Sequence, residues 1–426
     1  MLKKIPLYLK ILIGMALGII WGLISVYAEF DGFSKDYIAP WGEIFIRLLK
    51  LIAIPLIFVS LVSGISNLKD ISRLSKIGLK TIGLYIFSTV VAISIGLLLV
   101  NPLKPGAAFT DEYRSEFNQK YQESIGEKQM AASNLKDSGP LDFVVELVPD
   151  NIVGAAADNS RMLQLIFFAF LFGIAMVALP ESKTGTVKKF IDGLNEIVLK
   201  IIDFIMKFAP FGVFALMVSL LVDYANQITE LFVALGAYSG TVILGLMLMI
   251  FFVYPFMLWI FTGYKFRKFY KAIFPAQLLA FSTSSSAATL PVTMDRCEKK
   301  IGISKDICSF VLPVGATINM DGTSLYQGVA AVFIAQSYGI DLDLMQQLTI
   351  ILTATLASIG AAAVPGAGIV MLVIVLESIG LPTEGIALIL AVDRVLDMLR
   401  TAVNITGDST IATIIAKSEN KLIPPE

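Results

Sequence analysis

Apolar runs of about twenty residues recur along this chain at fairly regular intervals. They lie near residues 5–27, 38–66, 77–100, 162–179, 191–222 and 228–262. Each is long enough to cross roughly 30 Å of hydrocarbon as a helix. Three further apolar regions, near 270–335, 345–380 and 383–416, are interrupted by small or polar residues. The pattern predicts an all-α, polytopic membrane protein. The first run opens on a basic stretch, as a signal peptide does. Its apolar part nevertheless reaches Tyr27, past the roughly 7–15 residues of a signal core, so it reads as a retained first span.

The polar connections alternate in sign. Lys69, Arg73, Lys76 and Lys80 separate the second and third spans, Lys183, Lys188 and Lys189 the fourth and fifth, and Lys265, Arg267, Lys268 and Lys271 follow the sixth. The intervening connections carry Glu29, Asp31 and Asp36, then Asp223 and Glu230, then Asp341 and Asp343. The excess of Lys and Arg on one side places both termini in the cytoplasm. The polar, acidic stretch 104–161 reads as an external loop. This topology closes only if two segments enter and leave on the same side. The segment near 267–300 has basic residues at both ends, and that near 345–380 has acidic residues at both ends. Each reads as a re-entrant hairpin, a form tolerated where the backbone is buried in protein or lines a cavity. Eight spans and two hairpins result.

Charged residues make up 16% of the chain, against about 25% in ordinary soluble domains. Lys and Arg number 33 and Asp and Glu 34, so no basic excess points to nucleic acid. There is no histidine, which removes imidazole general-base catalysis, metal ligation and proton relay. No nucleophile motif appears either, and an enzyme is not expected. Cys297 and Cys308 are too few for a disulfide framework.

The candidate chemistry lies in the interrupted regions. The first hairpin turns at five successive hydroxyl residues, Ser282 to Ser286, followed by Thr289 and Pro291. The second turns through Ser358, Gly360 and the VPGAG run 364–368. Packing through small residues explains scattered Ala and Gly but explains the hydroxyl run poorly. After the first hairpin comes NMDGT at 319–323. An Asp near mid-membrane costs about 2.5–3.5 kcal/mol and requires a partner. With no Lys or Arg in that segment, a cation held by oxygen ligands is the economical partner for Asp321. Asn319 adds an amide oxygen. After the second hairpin, Asp393, Asp397, Arg400, Thr401, Asn404 and Asp408 share an arc of roughly 100° on an otherwise apolar helix. Arg394 sits at the edge of that arc and takes no assignment from the pattern. Arg400 suits a forked contact with a carboxylate, Asp397 an ammonium, and Asp321 and Asp408 cations. A zwitterion with a second carboxylate, plus at least two monovalent cations, balances the set. No other cofactor is called for.

The two halves match: each has a small-residue hairpin with a Pro, then a helix bearing Asn and Asp, and the hairpins enter from opposite sides. That is the inverted-repeat plan of secondary transporters, with the site at the midplane. A pore is the alternative from another class, but converging acidic and basic groups of one helix suit a pocket better. Within transport, the alternatives are a C4-dicarboxylate carrier, which has no substrate amine to pair with Asp397, and a neutral amino-acid symporter.

At Thr283 to Pro291, NMDGT, VPGAG and the stripe from Asp397 to Asp408, the sequence resembles the glutamate transporter family, the dicarboxylate/amino acid:cation symporters. The resemblance spans essentially the whole chain. It implies a plasma-membrane homotrimer in contact with lipid that carries aspartate or glutamate with sodium by an elevator movement. Residues 1–76 and 162–222 would form the scaffold, with 77–103 and 223–426 as the transport domain and 104–161 as the external loop. The second hairpin would be the outer gate. Substrate contacts would be Ser286, Thr323, Val364, Gly368, Asp397, Arg400, Thr401 and Asn404. One sodium would use Asn319, Asn404, Asp408 and the Gly315 carbonyl. A second would use carbonyls near Thr317, Ser358, Ile359 and Ala361, beside the Met320 sulfur. A third would use Tyr85, Ser88, Thr89, Asn319 and Asp321. Archaeal members carry an arginine at Ser284 and animal members one at Met398; this chain has neither. Ala363 also replaces a common glycine. Animal members place a glutamate, read as the proton carrier, at Gln327, which implies uptake without obligatory proton cotransport.

Overall fold

The computed structural model describes residues 7–28, 30–66, 75–109, 148–157, 161–223, 228–359 and 366–423. Helix dominates throughout. The first apolar run forms α1 (Leu7–Tyr27). A π-helical turn at Ser34–Ile38 leads into α2 (Ala39–Ser66). Next come α3 (Ser75–Leu103), α4 (Met162–Ala178) and α5 (Glu181–Asp223). A π-turn at Met249–Val253 joins α6 (Ile228–Leu248) to α7 (Tyr254–Thr262). Gly263, at φ +66°, ends α7 in the left-handed conformation open to glycine.

The interrupted regions resolve into paired helices. The first hairpin is α8 (Phe266–Thr283) and α9 (Ser286–Arg296). Next come α10 (Lys305–Ile318) and α11 (Asp321–Ser337), separated by the non-helical residues Asn319 and Met320. The second hairpin is α12 (Leu344–Ile359) and α13 (Ala367–Ser378). The chain closes with α14 (Ile386–Ser418).

Among the described residues, five stretches are long and apolar enough to cross a membrane by length and composition: Leu9–Tyr27, Asp31–Ser63, Ile77–Ala108, Glu181–Val222 and Thr229–Thr262. The eight spans expected from the sequence are not all recovered by this criterion, for physical reasons. The helix α4 is short, α10 and α11 are broken apart at Asn319, and α14 carries its polar stripe. A second difference concerns the basic stretch after α4. It was expected as a loop, yet α5 begins at Glu181 and runs for 43 residues, about 65 Å at 1.5 Å per residue. That exceeds the hydrocarbon thickness, so the Lys183–Lys189 turns extend the helix beyond the apolar layer. The external loop expected at 104–161 falls largely on 110–147 and 158–160, outside the described residues.

Packing separates the helices into two associations. α1 and α2 lie along α5, and α4 along α2. Gly14 and Gly18 let α1 approach α5 closely: a Cβ at Gly18 would stand 2.6 Å from the Phe214 carbonyl oxygen. In the other association, α3 lies on α11, and α8, α10 and α11 surround α14. The hairpin helix α13 bridges the two by packing on α2. All of α11 except Gln336 is buried, as is most of α14. The polar stripe of α14 therefore faces protein and not water.

Candidate functional site

Hairpin one shows what its hydroxyl run does. Ser282 Oγ and Thr283 Oγ1 donate to the carbonyls of Leu278 and Leu279, each at 2.9 Å. Ser284 adopts a left-handed backbone, φ +50°, and its amide closes α8 onto Ala280 at 2.8 Å. Ser285 caps α9, its Oγ accepting the Ala288 amide at 3.2 Å. Much of the run thus serves the reversal itself: Ser282 and Thr283 bond back within α8, and Ser285 satisfies an end group of α9. Ser286 opens α9 and is buried.

Arg400 is 0% exposed. Its Nη2 donates to Asp397 Oδ1 at 2.8 Å and lies 3.1 Å from Asp393 Oδ1, two turns back on α14. The guanidinium rests 3.8 Å from the centroid of the Tyr326 ring, a cation–π contact from α11. Its Nε and Nη1 have no acceptor among the described residues. Hairpin two approaches from the other side. A Cβ at Gly368 would stand 3.2 Å from Thr323 Cγ2 and 3.4 Å from Arg400 Nη1. The Gly366 amide reaches Asp397 Oδ2 at 3.4 Å. Thr401 Oγ1 donates to the Asp397 carbonyl, and Asn404 Nδ2 donates to Thr323 Oγ1 at 3.2 Å. The result is a buried guanidinium and carboxylate beneath the tip of a hairpin, with guanidinium N–H groups left over for an anion.

A second polar cluster lies deeper, where α10 and α11 part. Asp321 Oδ1 accepts from Ser88 Oγ at 3.1 Å and Thr89 Oγ1 at 3.0 Å, and its Oδ2 accepts from Tyr254 at 2.8 Å. Asn319 Oδ1 accepts from Ser88, while its Nδ2 donates to Asp408 Oδ1 at 2.9 Å. Asn404 Oδ1 accepts the Gly322 amide at 2.8 Å, so a side chain of α14 caps the first turn of α11. Backbone approach makes this possible. A Cβ at Gly407 would stand 2.9 Å from both Asp321 Oδ2 and the Tyr254 hydroxyl, and one at Gly315 2.6 Å from Asp408 Oδ1. Among the described residues, the buried ion pairs are those of Arg394 and Arg400, and none reaches Asp321 or Asp408. Two buried carboxylates with hard oxygen neighbours and no basic partner suit cations.

The structure brings Tyr85, Ser88, Thr89, Gly315, Asn319, Asp321, Asn404 and Asp408 into this second cluster. Tyr85 is buried and donates to the Val311 carbonyl at 2.9 Å. Ser358 Oγ reaches the Ile318 carbonyl at 3.4 Å, which sets the end of α12, with Ile359, against the break that holds Met320. The Thr317 side chain is exposed and bonds back within α10. Ala361 and Val364 lie outside the described residues. Three contributors were absent from the sequence-derived set. Tyr254 comes from α7, whose apolar run gives no cue. Tyr326 follows Thr323 by three residues, and helical spacing would have found it. Asp393 was on the arc but was given no partner.

Broken helices, helical hairpins and buried charge inside an otherwise apolar bundle define a membrane transport protein. The chain belongs to the sodium:dicarboxylate symporter family, whose model matches residues 7–418. It is 38% identical to a proton/sodium-glutamate symport protein of Bacillus caldotenax over 99% of this chain and 96% of that protein. It is 36% identical to excitatory amino acid transporter 3 of Mus musculus, over 97% of this chain and 86% of that protein. It is also 35% identical to the proton/glutamate-aspartate symporter of Escherichia coli, over 98% and 94%.

The Tyr254–Asp321 contact is open to a direct test. Tyr254→Phe removes one of three donors to a buried carboxylate, and hydrogen bonds to charged groups contribute about 1.5–3 kcal/mol. A double-mutant cycle with Asp321→Asn, read by thermal unfolding in detergent, is expected to show coupling on that scale. Additive effects would mean the hydroxyl does not support the carboxylate.

Proposed function

We infer that this protein is a sodium-coupled symporter of acidic amino acids. It resides in the plasma membrane with both termini in the cytoplasm. The observation that carries the reading is the buried charge set: Arg400 keeps N–H groups for an anion, Asp397 stands beside it, and among the described residues Asp321 and Asp408 have no basic partner. An α-amino acid with a side-chain carboxylate meets Arg400 with that carboxylate and Asp397 with its ammonium. Ser286, Thr323, Val364, Gly368, Thr401 and Asn404 complete its contacts. The names of the relatives, which specify glutamate and aspartate, support this choice.

The cations follow the carboxylates. One sodium takes Asn319, Asn404, Asp408 and the Gly315 carbonyl, and Asn404 Oδ1 keeps a lone pair for it beside the Gly322 amide. Another takes Tyr85, Ser88, Thr89, Asn319 and Asp321. A third takes carbonyls near Thr317, Ser358, Ile359 and Ala361, beside Met320. The assembly is a trimer. Residues 1–76 and 162–222 form its scaffold, and 77–103 with 223–426 form a transport domain that crosses like an elevator. The packing of α1, α2 and α4 with α5, and of α8, α10 and α11 around α14, supports that division.

Transport needs no obligatory proton. Gln327 is buried with its Nε2 directed at the Gly368 carbonyl, and an amide does not titrate. A substrate of charge −1 with two or more sodium ions carries net positive charge inward, worth about 2.3 kcal/mol per charge per 100 mV. Proteoliposome uptake of radiolabelled aspartate, with sodium gradient, pH gradient and potential clamped separately, is expected to follow sodium and to speed up with an inside-negative potential. Uptake driven by a pH gradient without sodium would overturn this and put the proton on a carboxylate assigned to sodium. In the same assay Arg400→Ser is expected to weaken aspartate by at least about 2 kcal/mol, the scale of a lost buried charged partner, while small neutral amino acids improve relative to it. Unchanged aspartate affinity would remove Arg400 from the site.

A further inference from the structure

Arg394 is the buried charge that the assignment above leaves unused. It follows Asp393 on α14 and is 8% exposed. Its Nη1 donates to Asp397 Oδ2 at 3.3 Å, the oxygen that also receives the Gly366 amide. Asp397 is therefore held on both oxygens by guanidinium groups, Arg400 on Oδ1 and Arg394 on Oδ2. Arg394 reaches it from outside the site. With Asp393 it lines a cavity of about 20 Å³ whose other walls include Ile11, Phe45, Met206 and Gly366, where α1, α2 and α5 meet hairpin two. These walls are apolar and the space suits about one water molecule, so the charge of Arg394 acts on its neighbours with little screening.

We propose that Arg394 is a specificity-determining residue that, through Asp397, supplies the second buried positive charge allowing the cavity to accept an amino acid with two carboxylates. The inference rests on the acidic-substrate reading above. Asp393 and Asp397 are balanced by Arg394 and Arg400. An acidic amino acid adds one net negative charge to a neutral set. Without Arg394 the set already carries one negative charge, and the substrate makes it two in a medium that screens poorly. A neutral amino acid brings no net charge and is nearly indifferent to the change. Arg394 does not compete with the ammonium, because a carboxylate offers about four lone-pair positions and Arg400 turns to the substrate. It is thus a positioning residue for Asp397 and a counter-charge for the cavity, with no substrate contact of its own.

A purely structural role, as an i,i+3 pair along α14, would shift acidic and neutral substrates together. The test is transport by the full chain in proteoliposomes at saturating sodium. It measures KM for aspartate and the inhibition constant of asparagine, its neutral isostere, in the parent and in Arg394→Gln, Arg394→Met and Arg394→Lys. In the Gln and Met variants aspartate KM is expected to rise at least about tenfold. The preference for aspartate over asparagine is expected to fall by a similar factor, while Lys keeps both within about threefold of the parent. Equal shifts for both ligands, tighter aspartate binding in Arg394→Gln, or a folded Lys variant that loses the preference would each overturn the inference. The Lys variant keeps the test decisive if the neutral substitutions do not fold. If the parent itself shows no sodium-dependent aspartate uptake, the acidic-substrate reading falls and this inference with it. If the parent transports aspartate but the variants do not discriminate, only this inference falls.

Discussion

A carboxylate moved from water into an apolar interior costs several kcal/mol unless opposite charge and hydrogen bonds meet it there. Among the described residues four aspartates are buried among the helices, Asp321, Asp393, Asp397 and Asp408. Asp393 and Asp397 are met by Arg400 and Arg394 on their own helix. Asp321 and Asp408 receive hydroxyl and amide donors but, among the described residues, no cationic side chain. The proposed transport cycle follows from that inequality: cations complete the second pair, and the substrate exchanges partners with the first.

The rest of the architecture serves to bring those groups together without leaving backbone unsatisfied. The chain unwinds at Asn319 and Met320, which exposes amides and carbonyls next to Asp408, and Asn404 from α14 takes the Gly322 amide in return. Glycines at 315 and 407 allow backbone to touch the polar atoms of neighbouring helices, where any side chain would collide. Hairpin two comes down on Arg400 through Gly366 and Gly368, and Gly366 simultaneously rests on Met206 of α5. The start of α13 is therefore in contact with both helix associations. A gate placed there, as the family resemblance implies, would respond to substrate on one face and to scaffold position on the other.

Much of this was legible in the sequence. Span-length apolar runs, alternating loop charge and the arc on α14 are long-range regularities, and they led to the helical plan, both hairpins and the placing of Asp397 and Arg400 on one face of α14; the direct contact between those two came only with the structure. What escaped were contacts set by tertiary approach alone. Tyr254 meets Asp321 across 67 residues of chain, and nothing in its own apolar run marks it. The start of α5 at Glu181 escaped because lysines after an apolar run read equally well as a loop or as an amphipathic helical extension. Arg394 lay at the edge of the stripe, and the turn of its side chain toward Asp397 Oδ2 is visible only in the structure. The sequence offered packing as a poor explanation of the hydroxyl run of hairpin one, and the structure shows Ser282, Thr283 and Ser285 bonding back within the hairpin itself.

The central claim is that substrate binding depends on cations meeting Asp321 and Asp408. Linkage then requires that each ligand strengthen the other. The most direct measurement is equilibrium aspartate binding to the purified protein by calorimetry across a wide range of sodium concentration at constant ionic strength. The account predicts that log Kd falls with log sodium with a slope of magnitude two or more before it levels off at saturation. An aspartate Kd that does not change with sodium would contradict it.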